Sequence, residues 1–228
     1  MRGLVLSLFP GYGLLDRAFE EAGWCVVRGP DLLVGGDVRD FHALPRKFDG
    51  VIGGPPCQVH SGASEIVGTT AIDLIPEFVR VVEEANPLWV VMENVPTAAS
   101  PAIPPEWDRT VLRDWDCGGL TSRKRAFWTY PWRVEPPPHR EGQPSLSVMA
   151  TSYKRGIGGP GTYCDDKGFL PGNLPLEEYA RLQGAERILE ALKTQKLLSR
   201  SLVIHGLGNG VPLAMGRYVA KQIRSGGA

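Results

Sequence analysis

The chain has 228 residues, with 25 lysines and arginines balanced by 25 aspartates and glutamates and 43% hydrophobic residues. This length allows one α/β core with a small appendage and excludes two generous domains, and the zero net charge means that nucleic acid would have to be held by a local basic surface. No apolar run reaches membrane-spanning length, and Cys25, Cys57, Cys117 and Cys164 lie too far apart for a disulfide framework or a paired metal site. The expectation is a protein of a reducing cytoplasm, with no membrane and no metal.

Leu4 to Phe9 reads as a buried first strand, interrupted too soon by Pro10 and Gly11 to be a signal peptide. Leu14 to Ala22 follows with apolar residues at helical spacing. Trp24 to Val27 and Val51 to Ile52 read as strands, Ile72 to Ala85 as a helix, and Leu88 to Met92 as a fourth strand. Strands alternating with helices imply right-handed crossovers and a mostly parallel sheet flanked by helices, the α/β class. Thr110 to Leu112 and Ala126 to Tyr130 look like further short strands. After Trp132, Pro136-Pro137-Pro138 opens an irregular stretch rich in Gly, Pro and Ser that runs to about Gly172. Helical pattern returns at Leu176 to Leu182, at Arg187 to Lys193, and from Pro212 to about Ile223. Residues 1–132 are therefore expected to form a core, 133–174 a short insert, and 175–228 helices that complete the core.

Five segments carry candidate chemistry, the first three at strand ends where such a sheet would bind a ligand. Phe9-Pro10-Gly11-Tyr12-Gly13 joins the first strand to the first helix, where glycines permit a sharp turn and close approach of a ligand. Without a third glycine it is equally a plain strand-to-helix turn. Gly53-Gly54-Pro55-Pro56-Cys57-Gln58 makes a stiff loop after an apolar strand, carrying an accessible, activatable cysteine or an incidental thiol. Met92-Glu93-Asn94-Val95-Pro96 lies just beyond another strand, and Glu93 is either a solvated loop acid or a partly buried one that shares a proton with a heterocycle. Thr121-Ser122-Arg123-Lys124-Arg125 sets two arginines two residues apart, able to face one way. Gly208-Asn209-Gly210-Val211-Pro212 precedes the last helix and could be a simple turn.

Together and in this order, the five segments resemble the DNA cytosine-5 methyltransferase family: its Phe-x-Gly-x-Gly loop, Pro-Cys-Gln loop, Glu-Asn-Val segment, Gln-x-Arg-x-Arg segment and Gly-Asn-x-Val terminus. Arg181-Leu182-Gln183-Gly184 is similar to the family's Arg-centred segment before that terminus. The resemblance covers residues 4 to 130 and 175 to 224. It implies a Rossmann-like S-adenosylmethionine-dependent methyltransferase fold with a small irregular recognition insert.

Carried over by position, the resemblance implies catalytic roles for Cys57, Glu93, Arg123 and Arg125, and cofactor contacts at Phe9, Gly11, Tyr12, Gly13, Asp37, Pro55, Asn209 and Val211. Asp31 is the candidate ribose acid, although Arg28-Gly29-Pro30 intervenes after the second strand. Cys57 would add to carbon 6 of a flipped cytosine, activating carbon 5 towards the methyl donor, with Glu93 at ring nitrogen 3 and the arginines on the carbonyl side. Thr121 departs from the family's Gln, and His60 stands where the family commonly has an aromatic, as a structural substitute for that ring.

The insert is short for a target-recognition domain, which points to a short or relaxed target sequence. From Thr121 to Gly158, Arg123, Lys124, Arg125, Arg133, Arg140, Lys154 and Arg155 outweigh Glu135 and Glu141, which suits phosphate contacts. The expected partner is double-stranded DNA, bound by a monomer, in a modification or restriction-modification setting. The alternatives are a tRNA cytosine-5 methyltransferase and a non-catalytic cofactor-binding module.

Overall fold

A computed structural model describes residues 2–56, 72–148, 174–195 and 199–223. Six strands form one sheet: β1 (Leu4–Leu8), β2 (Cys25–Arg28), β3 (Gly50–Gly53), β4 (Trp89–Asn94), β5 (Asp108–Arg113) and β6 (Lys124–Tyr130). Their order is β2-β1-β3-β4-β6-β5. The first four strands are parallel, while β6 runs antiparallel to both β4 and β5. The expected mostly parallel α/β sheet is thus present, closed at one side by an antiparallel hairpin. The helices are α1 (Leu14–Glu21), α2 (Ile75–Ala85), α3 (Leu176–Gln183), α4 (Glu186–Gln195), α5 (Arg200–Asn209) and α6 (Leu213–Gln222).

β1, β3 and β4 are nearly unbroken apolar runs because both faces of the sheet are covered. On one face Leu6, Leu8, Val51, Val90, Met92 and Trp128 pack under α2 through Ile75, Phe78 and Val82. On the other, Val5, Ile52, Val91 and Phe127 meet Phe19 of α1 and Met215 and Val219 of α6. A third cluster joins α3, α4 and α5 to Leu14 and Ala18. The last helix lies against the first: a Cβ at Gly216 would come within 2.8 Å of Ala18 Cβ.

Trp89 anchors the α1 face, stacked on Phe19 with centroids 5.7 Å apart and edge-on to Trp24 at 4.9 Å. Its indole occupies the space beside Gly50, where a Cβ would fall 2.2 Å from the ring. Gly50→Ala is expected to cost about 1–3 kcal/mol by overpacking, read as a lower urea midpoint at unchanged slope.

Two expectations need correction. Glu93 and Asn94 lie within β4 and not beyond it, because β6 pairs with them through Phe127 and Ala126. Gly208 and Asn209 are the last residues of α5 and not a turn before α6. That helix is glycine-containing and only weakly amphipathic, since Val203, Ile204, Leu207 and Gly208 are buried around more than one side, so periodicity does not show it.

Candidate active site

The candidate residues gather at the carboxyl ends of the parallel strands, the edge where open α/β sheets bind ligands. Between β1 and α1 the chain turns through left-handed backbone at Phe9, Gly11 and Gly13 (φ 55, 53 and 75°). Phe9 is the costly one, since a side chain at positive φ is strained and must be held by its surroundings. The holding bonds come from the segment after β2: Phe9 N–H donates to Pro30 O at 3.3 Å, and Gly11 N–H to Asp31 Oδ2 at 2.8 Å. Asp31 therefore lies on the glycine loop despite the intervening Arg28-Gly29-Pro30. A Cβ at Gly11 would meet nothing within 4 Å, so the loop opens onto free space beside that carboxylate.

The other proposed cofactor residues are placed less evenly. The Tyr12 ring lies against Gly206 of α5, and its hydroxyl donates to Leu202 O at 2.9 Å, so the side chain is engaged with that helix. Asp37 caps a short 3-10 turn by accepting Arg39 N–H, and the Arg39 guanidinium beside it lowers its pKa to about 2. Val211 is buried in the core with Val5 and Phe19, while Asn209 remains exposed with its Nδ2 3.0 Å from His205 Nε2.

At the next strand end, Asn94 Nδ2 donates to Pro55 O at 3.2 Å, binding the loop after β3 to the end of β4. In register, Gly53 pairs with Met92, which sets Gly54 beside Glu93; a Cβ at Gly54 would fall 2.8 Å from Glu93 Oε2. The glycine is what lets this carboxylate reach the loop. Cys57, with Gln58 and His60, lies outside the described residues.

Glu93 is 6% exposed. Burial pushes its pKa up, against the pull of Arg125 and then Arg123. Arg125 Nε stands 2.7 Å from Glu93 Oε1, an ion pair whose alignment falls short of a hydrogen bond, so Oε1 has no aligned donor among the described residues. A buried acid carrying a raised pKa, set against the loop after β3, suits proton sharing with a ring nitrogen.

The two arginines part company. Arg125 faces Glu93, whereas Arg123 is buried and donates to Val148 O and Gly208 O, both at 2.5 Å. It clamps the start of the insert to the end of α5. Arg123 is therefore unavailable to phosphates; the expected basic surface retains exposed Lys124, Arg133 and Arg140, the last stacked on Trp115 at 3.8 Å, with Lys154 and Arg155 outside the described residues.

Thr121 also has a visible role. Its hydroxyl and amide both donate to the buried Asp114 Oδ2, at 2.7 and 2.9 Å, with Leu120 N–H at 3.2 Å. Thr121→Val leaves that oxygen two backbone donors, so the expected loss is about 1 kcal/mol in urea unfolding, at the low end for a lost buried partner. Asp114 was not singled out by any motif, nor was a second buried acid, Asp16, which accepts the Ser7 hydroxyl beneath the glycine loop. The legible signal for Asp16 was an acid on the apolar stripe of α1, between Leu15 and Phe19.

The sheet and the loops at its edge define the Rossmann-like methyltransferase class. The Dnmt2 methyltransferase of S. pombe superposes with a TM-score of 0.64 over 96% of this chain and 97% of that one, at 13% identity. The match to the family model of C-5 cytosine-specific DNA methylases runs over residues 32–127. The Type II methyltransferase M.HgiGI of Herpetosiphon aurantiacus is 45% identical over 114 residues, 41% of this chain and 90% of that relative. M.FnuDI of Fusobacterium nucleatum, another Type II methyltransferase, is 30% identical over 157 residues, 54% of this chain and 45% of the relative. The chain belongs to the C-5 cytosine-specific DNA methylase family. It spans less than half the length of several curated relatives it matches.

Proposed function

We propose that this chain transfers a methyl group from S-adenosylmethionine to carbon 5 of cytosine in double-stranded DNA. The observation that carries this is Glu93: a buried, raised-pKa acid set against Gly54, in the loop whose next residues lead to Cys57. Three residues of chain span at most about 11 Å, so Cys57 and Glu93 can address one heterocycle.

The residues present fit the cofactor. Gly11 opens onto free space, Asp31 stands beside it for the ribose hydroxyls, Phe9, Gly13 and Pro55 border the same sheet edge, and Asp37, capping the next short turn, is left for the adenine ring. When bound, S-adenosylmethionine supplies an electrophilic methyl group on a sulfonium. Cytosine carbon 5 is too electron-poor to accept it unaided. The Cys57 thiolate adds to carbon 6, Glu93 holds a proton at ring nitrogen 3, and Arg125 balances the charge of the pair while facing the carbonyl side. Carbon 5 of the adduct then takes the methyl group, the thioether S-adenosylhomocysteine being the leaving group, and loss of the carbon 5 proton to water expels the Cys57 thiolate. The base must leave the stack to reach these groups. Arg123 supports the site by fixing the α5 terminus that carries Asn209, more directly than by touching the base.

Residues 133–174 serve as a reduced recognition segment, and residues 1–132 with 175–228 as the catalytic core of a cytoplasmic monomer. The Type II names of the relatives favour DNA and a restriction-modification context. Expression in a methylation-free host followed by sequencing of 5-methylcytosine is expected to show modification of host DNA at a short site. Methyl transfer to tRNA with none to duplex DNA would turn the assignment to RNA, and a stringent site of six or more pairs would contradict the reduced recognition segment.

A further inference from the structure

Beneath the Phe9–Gly13 loop lies a charged cluster that the chemistry above does not use. Asp16, in the first turn of α1, is fully buried. Its Oδ1 accepts the Ser7 hydroxyl at 2.5 Å, and its Oδ2 lies 2.9 Å from Arg28 Nε. Burial is the largest influence on this carboxyl and raises its pKa; Ser7 and Arg28 pull it down, and Glu20 adds to the rise. An acid this deep is tolerated only with such partners.

The pairing uses one edge of the guanidinium. The Arg28 side chain remains 55% exposed, and Asp16 is its only ion-pair partner among the described residues. Its Nη2 occupies the place of a Gly13 side chain: a Cβ there would fall 2.3 Å from Nη2 and 2.9 Å from Cζ. Arg28 is thus flush with the backbone of the glycine loop, at the end of β2, three residues before the Asp31 that holds Gly11. A guanidinium oriented from behind, with a free fork in front, is a receptor for a carboxylate.

We propose that Arg28, aimed by Asp16 and Ser7, receives the carboxylate at the methionine end of S-adenosylmethionine. Asp31 on the ribose and Arg28 on the carboxylate would then grip the cofactor at two points, one at the end of β2 and one in the segment just after it. This rests on the cofactor reading given under Proposed function. Asp16 and Ser7 are positioning residues that act through Arg28.

Calorimetric titration of the full chain with S-adenosylhomocysteine and with 5′-methylthioadenosine, which lacks the amino-acid end, tests the assignment. Arg28→Gln is expected to weaken S-adenosylhomocysteine about 10- to 100-fold, the worth of a charge-assisted hydrogen bond, and to leave methylthioadenosine within about twofold. Asp16→Asn is expected to shift S-adenosylhomocysteine in the same direction by less, since the guanidinium stays but loses its anchor. Should Asp16→Asn fail to fold, Arg28→Gln decides alone, its side chain being mostly in solvent. Unchanged binding of S-adenosylhomocysteine, or equal loss for both ligands, overturns the proposal while leaving the cofactor reading in place. A wild-type chain that binds neither ligand overturns the cofactor reading, and this inference with it.

Discussion

Glu93→Gln is expected to lower the rate of methyl transfer about 10²–10³-fold while leaving the fold at least as stable as the wild type near neutral pH. Glutamine keeps the shape that fits beside Gly54 but cannot exchange a proton with ring nitrogen 3. The stability half follows from the raised pKa. Between the ordinary value of 4.5 and the raised one, the folded protein holds a proton that the unfolded chain has released, so this group's contribution to stability falls as pH rises through that window. Glutamine does not titrate. Thermal melts of the two proteins from pH 4.5 upward should therefore show the variant gaining on the wild type, and a variant that loses ground as pH rises would contradict a proton-holding Glu93. A rate within a few-fold of wild type would remove Glu93 from the chemistry.

Cys57→Ala is expected to abolish transfer, a loss of about 10⁴-fold or more, because carbon 5 becomes nucleophilic only once a thiolate has added to carbon 6. Among the described cysteines, Cys117 is a poor substitute: burial first, then Asp114 and Asp116, pushes its thiol up to about 12. S-adenosylhomocysteine binding by Cys57→Ala should stay within about twofold of wild type, since the Phe9–Gly13 loop and Asp31 belong to other strand ends and Pro55 is unchanged. Transfer by Cys57→Ala at the wild-type rate, in tritium incorporation on duplex DNA, would support instead a chain whose cysteine is incidental.

The parallel half of the sheet was legible because β1, β3 and β4 are apolar runs bounded by glycine and proline, a pattern that reflects burial on both faces. The hairpin of β5 and β6 was legible as strands, but their pairing with β4, which draws Glu93 and Asn94 into the sheet, depends on a contact across the chain. α5 was missed for a local reason, since Gly206 and Gly208 dilute its pattern; a Cβ at Gly206 would strike the Tyr12 ring, so the residue that hides the helix is the one that lets it pack.

The site shows the same division. Spacing alone set Arg123 and Arg125 on equal terms, and only the fold separates Arg125, facing Glu93, from Arg123, spent on two backbone carbonyls. The Asp16 and Asp114 clusters carry no motif because their partners, Ser7 with Arg28 and Thr121 with Leu120, are assembled by tertiary or turn geometry.

Covalent capture tests the central claim most directly. Incubation of the full chain with S-adenosylmethionine and duplex DNA carrying 5-fluorocytosine at a modified site should give a denaturant-stable protein–DNA adduct, with peptide mass mapping to Cys57, because fluorine at carbon 5 blocks the elimination that would free the thiol. Efficient methylation of ordinary cytosine without any such adduct, or an adduct on another residue, would contradict Cys57 as the nucleophile.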